Sequence, residues 1–177
     1  MDGFAERFEG ELDRLHRFAL SLTRDREEAH DLLHDTFLRA HQGFHGFRSG
    51  TNFKAWVFQI LVNTFHTRRR RAGKDNLTGW DPELEPAAPD DSIFDRLEGE
   101  EILAAIEELP EPFRSTVLLV DREEMRYAEV AQVLDCPVGT VMSRLARGRT
   151  LLRSRLAGLA AERGFRKISH PTERGIR

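Results

Sequence analysis

Arg144, Arg147 and Arg149 stand with Thr140 and Ser143 inside one stretch that contains no acid. A guanidinium can bond both acceptors on a guanine edge, and Ser and Thr hydroxyls suit phosphates or bases. A second basic block reads Arg68-Arg69-Arg70-Arg71-Ala72-Gly73-Lys74, which suits phosphate contacts that weaken with salt. His30 and His34 stand at i,i+4 beside Asp31 and Asp35, and His41 and His45 repeat the spacing. Such a pair on a helix can hold zinc, but the glutamate of a metalloprotease helix is missing. No Ser/His/Asp grouping, phosphate-cradling glycine loop or dinucleotide fingerprint occurs. The chemistry on offer is polyanion recognition, with no catalytic set and no cofactor expected.

The elements that must carry these side chains read as helices throughout, since no stretch alternates with period two. Phe4, Phe8, Leu12, Leu15 and Ala19 form one apolar stripe. Thr23-Arg24-Asp25 breaks it, and Asp25 can cap a second helix through Ala29, Leu32, Leu33, Phe37 and Leu38. Gly43, Gly46 and Gly50 punctuate a loop over 43–51, after which Thr51 or Asn52 can cap a third helix with Phe53, Trp56, Val57, Ile60 and Leu61 inward. Helical periodicity resumes at Ile93, Leu97, Ile102, Leu103, Ile106 and Leu109 until Pro110 and Pro112 stop it. Phe113 to Val120 is an apolar run whose setting between helices favours helix.

Residues 126–153 hold the most informative pattern. A first helix turns Tyr127, Val130, Ala131 and Leu134 inward, Asp135-Cys136-Pro137 makes a tight turn, and a second helix buries Val141, Leu145, Leu151 and Leu152. Pro137 cannot continue the first helix but suits the start of the second. The opposite face of that second helix bears Thr140, Ser143, Arg144 and Arg147. This is a helix-turn-helix arrangement, whose second helix offers its N-terminal part to the major groove. Gly148 interrupts that helix without a sequence-level reason.

The net charge of −3 conceals segregated blocks. Residues 81–111 carry 12 acids and one Arg, whereas residues 138–177 carry 10 Lys or Arg and two Glu. Such segregation says more about partners than the sum does. The fold class expected is all-α: two small helical domains, 1–74 and 96–163, joined by a flexible acidic linker over 75–95 and followed by a basic tail over 164–177. The lone Cys136 excludes an internal disulfide and a cysteine-rich zinc site. Neither a membrane-length apolar stretch nor a secretory signal pattern is visible, so a cytoplasmic location without membrane insertion is expected.

Three motifs in order carry a family resemblance. Tyr127-Ala-Glu-Val-Ala with Pro137-Val-Gly-Thr-Val-Met-Ser-Arg-Leu-Ala-Arg-Gly-Arg resembles the promoter-binding C-terminal domain of extracytoplasmic-function sigma factors. Glu28-Ala-His-Asp-Leu-Leu-His-Asp-Thr-Phe-Leu-Arg-Ala is similar to that family's polymerase-docking helix. Phe47-Arg-Ser-Gly-Thr-Asn-Phe-Lys-Ala-Trp-Val-Phe-Gln-Ile-Leu-Val-Asn-Thr is similar to its promoter-melting segment. Together they span about residues 4–156, and their wording is most similar to the oxidative-stress branch, which pairs with zinc-containing anti-sigma proteins.

The resemblance implies a transcription initiation subunit and no enzyme. Asp31, Leu32, His34, Asp35 and Phe37 would dock on the β′ subunit of the polymerase core, with His34 and Asp35 replacing the family's usual glutamine and glutamate. Arg48, Ser49, Asn52, Lys54, Trp56, Asn63 and Arg68, Arg69, Arg70 and Arg71 would bind and melt the promoter −10 element. Thr140, Ser143, Arg144 and Arg147 would hold the −35 element. Core polymerase (β′ and β), promoter DNA and an anti-sigma factor are the implied partners. Trp56 has a competing place in the core, and so has Leu33. A sigma-like mimic that binds an anti-sigma factor without DNA is the alternative, though such a mimic would lose the basic faces that this chain keeps.

Overall fold

The computed structural model describes residues 2–48, 50–73 and 99–162. Ser49, the linker and the basic tail anticipated above lie outside the described residues. Among those described, every regular element is helical: α1 (Asp2–Thr23), α2 (Arg26–Gly43), α3 (Phe53–Arg71), α4 (Gly99–Glu107), α5 (Glu111–Val117), α6 (Tyr127–Val133) and α7 (Val138–Glu162). A short 3-10 turn over Phe44–Gly46 leads out of α2, and a wide π turn over Leu118–Arg122 extends α5. No helix among the described residues is long and apolar enough to cross a membrane.

The N-terminal half is a three-helix unit. α1 buries Phe4, Phe8, Leu15, Phe18, Ala19 and Leu22. Leu12, placed on the inner stripe by its sequence spacing, is instead 40% exposed. At 100° per residue Leu12 lies at the edge of the seam set by 8, 15, 18 and 22, about 120° round from Phe18. Asp25 caps α2 as expected, its carboxylate accepting from the Glu28 N–H at 2.8 Å. Ala29, Leu32, Leu33, Thr36 and Ala40 then face inward. Of the two candidate caps for α3, Asn52 serves, its Oδ1 accepting from the Ala55 N–H at 3.3 Å. α3 buries residues on several sides, Val57, Phe58, Leu61, Val62 and Phe65 among them. The cause is that α3 packs on α1 and α2 and also on α6.

In the C-terminal half, Arg114 is only 3% exposed and donates to the Glu107 and Leu109 carbonyls at 3.3 and 3.0 Å. It thereby satisfies carbonyls that the end of α4 leaves without helical partners. Burial, with Arg24 nearby, pulls its pKa below the usual guanidinium value. The helix-turn-helix is formed by α6 and α7. Asp135 sits at φ 48 in the turn, a left-handed conformation that Asp tolerates better than most residues. The Cys136 N–H returns to the Ala131 carbonyl at 3.0 Å, and the Pro137 carbonyl accepts the first α7 bond from Thr140 at 2.9 Å. Val130, Val133, Val141, Leu145, Leu152 and Leu156 are buried. Tyr127 is 39% exposed, against expectation. With seven residues, α6 buries mainly its central turn, and its first residue stays at the rim.

Gly148 finds its reason at the crossing of α5 and α7. A Cβ there would meet Val117 Cγ2 at 2.7 Å and Phe113 Cβ at 3.4 Å. Only a residue without a side chain lets the two helices approach so closely, and that outweighs the helix-propensity cost of about 1 kcal/mol. Gly158, also on α7, has nothing within 4 Å of such a Cβ. Gly148→Ala is therefore expected to destabilise the chain by about 1–3 kcal/mol. Gly158→Ala should leave stability unchanged or raise it by up to about 1 kcal/mol. Urea unfolding of the two variants checks this, and equal effects would refute the close-crossing account.

Candidate nucleic-acid interface

The residues expected on the −10 face converge on the start and outer side of α3. Trp56 is half-buried in an aromatic cluster, its ring 5.1 Å from Phe47, 5.6 Å from Phe53 and 6.3 Å from Phe44 between centroids. It packs more than it projects. Arg48, Asn63, Arg70 and Arg71 are exposed. Arg69 lies 5.6 Å from the Phe65 ring. Arg68 bonds Asp35 Oδ2 through Nε at 2.9 Å and Nη2 at 2.7 Å, and also reaches the Asp31 carbonyl at 3.1 Å. Both members of that ion pair are more than a third exposed, which makes it weak, at about 0–1 kcal/mol. A phosphate can compete for Arg68 at little cost.

Asn52 and Lys54 are in a different position. Asn52, while capping α3 with its oxygen, donates through Nδ2 to Glu129 Oε1 at 2.7 Å. Lys54 Nζ donates to the Glu123 carbonyl at 2.6 Å and pairs with Glu123 Oε2 at 2.9 Å. Gln59 on the same helix donates to the Gln132 carbonyl at 3.0 Å. All three acceptors belong to the C-terminal half. The α3 surface expected to meet an unpaired DNA base is thus closed by α6 and the turn before it. Arg24 adds a further bond, to the Glu107 carbonyl of α4, and the buried side chains of both halves form one cluster.

The sequence places these acceptors with economy. The π turn brings Glu123 inward, and Glu124 follows at φ 55. The Glu123 side chain is only 4% exposed, and Arg14 Nε, at 3.9 Å, is its second cation. Glu129 opens α6 by accepting from the Arg126 N–H at 2.9 Å, a reach-back that satisfies an otherwise unpaired helix-start donor. The Asn52 amide holds the Glu129 carboxyl below the usual carboxylate range, aided by the Arg126 N–H and opposed by burial.

On the helix-turn-helix, Ser143 is exposed and donates to the Thr140 carbonyl at 3.1 Å. Thr140, Arg144 and Arg147 are half-buried. Arg144 Nη1 lies 4.0 Å from Cys136 Sγ. Burial pushes the Cys136 thiol up in pKa, against the pull of Arg144, which suits a packed thiol better than a reactive one. Arg149 is tied to Asp121 through two bonds. Two large apolar residues of the first turns of α7 are also exposed, Val138 at 42% and Met142 at 54%.

The proposed docking helix needs one correction. Leu32 is fully buried and supports the core of α2, so it offers no surface to a partner. Leu33 is core as well. Asp31, His34, Phe37 and Leu38 are exposed, and Leu38 is the apolar member that the motif reading left out. Phe37 leans on Phe4, Phe8 and His41. The His30 ring lies tilted against His16 of α1, 4.9 Å between centroids. Among the described residues no group of three or more His, Cys, Asp or Glu converges as a metal site would require.

Two family models match the chain in order. The family model Sigma-70 region 2 matches residues 8–75, and Sigma-70, region 4 matches residues 99–152. The chain is 35% identical over 144 residues to the ECF RNA polymerase sigma factor EcfG of Rhodopseudomonas palustris, covering 80% of this chain and 78% of that protein. It is 34% identical over 155 residues to the ECF RNA polymerase sigma factor SigE of Mycolicibacterium smegmatis, covering 85% of this chain and 60% of that relative's length. A solved structure of the sigma factor RpoE in complex with the anti-sigma factor NepR from Bartonella quintana superposes with a TM-score of 0.70 at 27% identity, over 90% of this chain and 99% of that one.

The contact between the halves should depend on pH and on the two glutamates. Because Glu129 is held below its ordinary value, its contribution is complete above the usual carboxylate range and is lost as the pH falls through that lowered value. Glu123→Gln with Glu129→Gln should enlarge the radius of gyration of the free chain at neutral pH, while helix content stays constant. Small-angle scattering with circular dichroism measures both, and an unchanged radius would contradict the closed arrangement.

Proposed function

Because the chain belongs to the extracytoplasmic-function sigma factors of the sigma-70 family, which are transcription initiation factors and not enzymes, we propose that it carries RNA polymerase core to promoters bearing a −10 and a −35 element. The observation that carries this reading is the pairing, in one chain, of a region 2 unit with a helix-turn-helix whose second helix bears basic residues and no acid from Val138 to Ala161. An ordinary repressor needs the second part and not the first.

In this reading the exposed strip of α2 (Asp31, His34, Phe37 and Leu38, with Asp35 when released by Arg68) meets the β′ subunit. The helix-turn-helix domain rests on the β subunit. Arg48, Ser49 and Asn52 take the extruded base edges of the −10 strand, since an unpaired base needs donors and acceptors and a place outside the stack. Lys54 and Arg68–Arg71 hold its backbone, and Asn63 lines the same exposed side of α3. Thr140, Ser143, Arg144 and Arg147 hold the −35 duplex.

Asn52 and Lys54 cannot bond DNA and the C-terminal half with the same atoms. The closed arrangement is therefore the resting form, and engagement of polymerase or promoter must draw α6 away from α3. An anti-sigma partner that favours the closed form would reinforce it. The complex of the similar RpoE with NepR supports control of this kind. The motif wording supports a place in an oxidative-stress response, acting in the cytoplasm.

Run-off transcription with purified core polymerase on a genomic fragment library tests the proposal. The chain should start transcripts at a small set of promoters that share two spaced elements. Arg144→Ala with Arg147→Ala should reduce initiation at least tenfold, on a loss of about 1–3 kcal/mol per base-reading contact. Binding to anti-sigma with no promoter-selective transcription would favour a mimic instead.

A further inference from the structure

Arg7 stands on the exposed side of α1, outside all three sequence motifs. It is the one cation among five acids from Asp2 to Asp13. A solvated helix face would pair it with Glu11, one turn on. Glu11 is instead bonded to Arg14, and Arg7 enters no ion pair among the described residues. The guanidinium carbon of Arg7 lies 6.0 Å from the centroid of the Phe47 ring. The packing of α1 sets this contact. The Phe4 ring lies 5.2 Å from Phe44 and 6.3 Å from Phe53, so the first turns of α1 rest against the chain that leads into α3. Phe47 is half-buried, nearly parallel to Phe44 and edge-on to Phe53, and exposed Arg48 follows it. An exposed cation over a ring is held weakly, whereas a charge-assisted bond to a phosphate is strong. Exposed Glu6 and Glu9 repel a phosphate, so its approach to this end of α1 depends on Arg7.

We propose that Arg7 is a further DNA-binding residue, which leaves the Phe47 ring to hold a backbone phosphate of the melted −10 strand. This rests on the proposed −10 role of the start of α3 and extends it to α1. Single-strand binding sites combine aromatic faces with cations that follow the backbone. Arg7 and Phe47 are such a pair, and moving the guanidinium to a phosphate frees aromatic surface beside it. Asn52 and Lys54 are bonded to the C-terminal half in the closed arrangement. Arg7 makes no such bond among the described residues, so it can take a phosphate before α6 withdraws. It gives the strand a hold on the N-terminal unit that does not wait for opening.

The probe is a promoter selected from a genomic library by the holoenzyme, made as a full duplex and as a fork whose −10 non-template strand is unpaired. Holoenzyme binding to the fork is measured against salt concentration. One single-stranded phosphate contact contributes about 0.7 to the slope of log affinity on log salt. Arg7→Ala should lower the slope by that amount and weaken fork binding on the order of fivefold at low salt. Arg7→Lys should keep the slope, because the charge remains. Arg17→Ala removes an exposed cation of the same helix, about 15 Å further along, and should change neither slope nor affinity. A full slope in Arg7→Ala would overturn the proposal even if affinity fell, since a cation that only braces Phe47 releases no counterions. Weaker binding of Arg7→Ala to core polymerase with the slope unchanged would assign Arg7 to a protein contact, and an equal loss of slope in Arg17→Ala would reduce the effect to net charge; either result refutes the proposal. Wild-type holoenzyme that binds fork and duplex alike would instead remove the −10 role of α3, and the proposal with it.

Discussion

Two carboxylates, Glu123 and Glu129, cover the face of α3 that is proposed to meet melted DNA. Each holds a residue of that face: Glu123 takes Lys54, and Glu129 takes Asn52. The Glu123 pair is largely withdrawn from water, and removing one member alone would strand a buried charge at a cost of about 3–5 kcal/mol. Opening the halves differs from removing a partner, because water then solvates both ions. The closed form is held firmly by geometry and only modestly by net free energy. That balance lets a partner with differential affinity of a few kcal/mol shift the population.

Asn52 shows how tightly the functions are compressed. Its oxygen starts α3, its amide binds Glu129, and the same amide is proposed to read an unpaired base. Only the second role has to be given up on opening, so the helix keeps its cap while the amide is released. Lys54 behaves likewise, since a phosphate can replace the Glu123 carboxylate as its anion. In the proposed opening the N-terminal unit does not refold; it only loses its cover. Arg68, bound to Asp35 in an exposed pair, links the side of α3 proposed for DNA to the side of α2 proposed for docking in the same interchangeable way.

Most of the local structure was legible in the sequence because local rules govern it. Asp25 and the Asn52 option announced two helix starts, Pro137 the start of α7, and the inward valines and leucines of α6 and α7 the helix-turn-helix. Leu12 and Tyr127 were misplaced because a spacing of three or four does not fix which side of the seam a residue takes. Gly148 had no visible reason until Val117, 31 positions away, was brought against it. The contact between the halves through Glu123 and Glu129 was invisible for a similar cause. Asn52 and Glu129 are 77 residues apart and Lys54 and Glu123 are 69 apart, and a polar contact between distant residues leaves no periodic mark. Leu32, buried in α2, shows the error of carrying a motif position over as a surface position.

The most direct test of this account is the distance between the halves in the free chain and on the polymerase. Spin labels at Arg17→Cys on α1 and Ser154→Cys on α7, in a Cys136→Ser background, would report it by pulsed electron resonance. A single short distance in the free chain, replaced by a longer one on binding core polymerase and promoter, is the predicted result. An identical distance in both states, with promoter-selective transcription intact, would contradict the claim that Glu123 and Glu129 must release α3 before it can meet DNA.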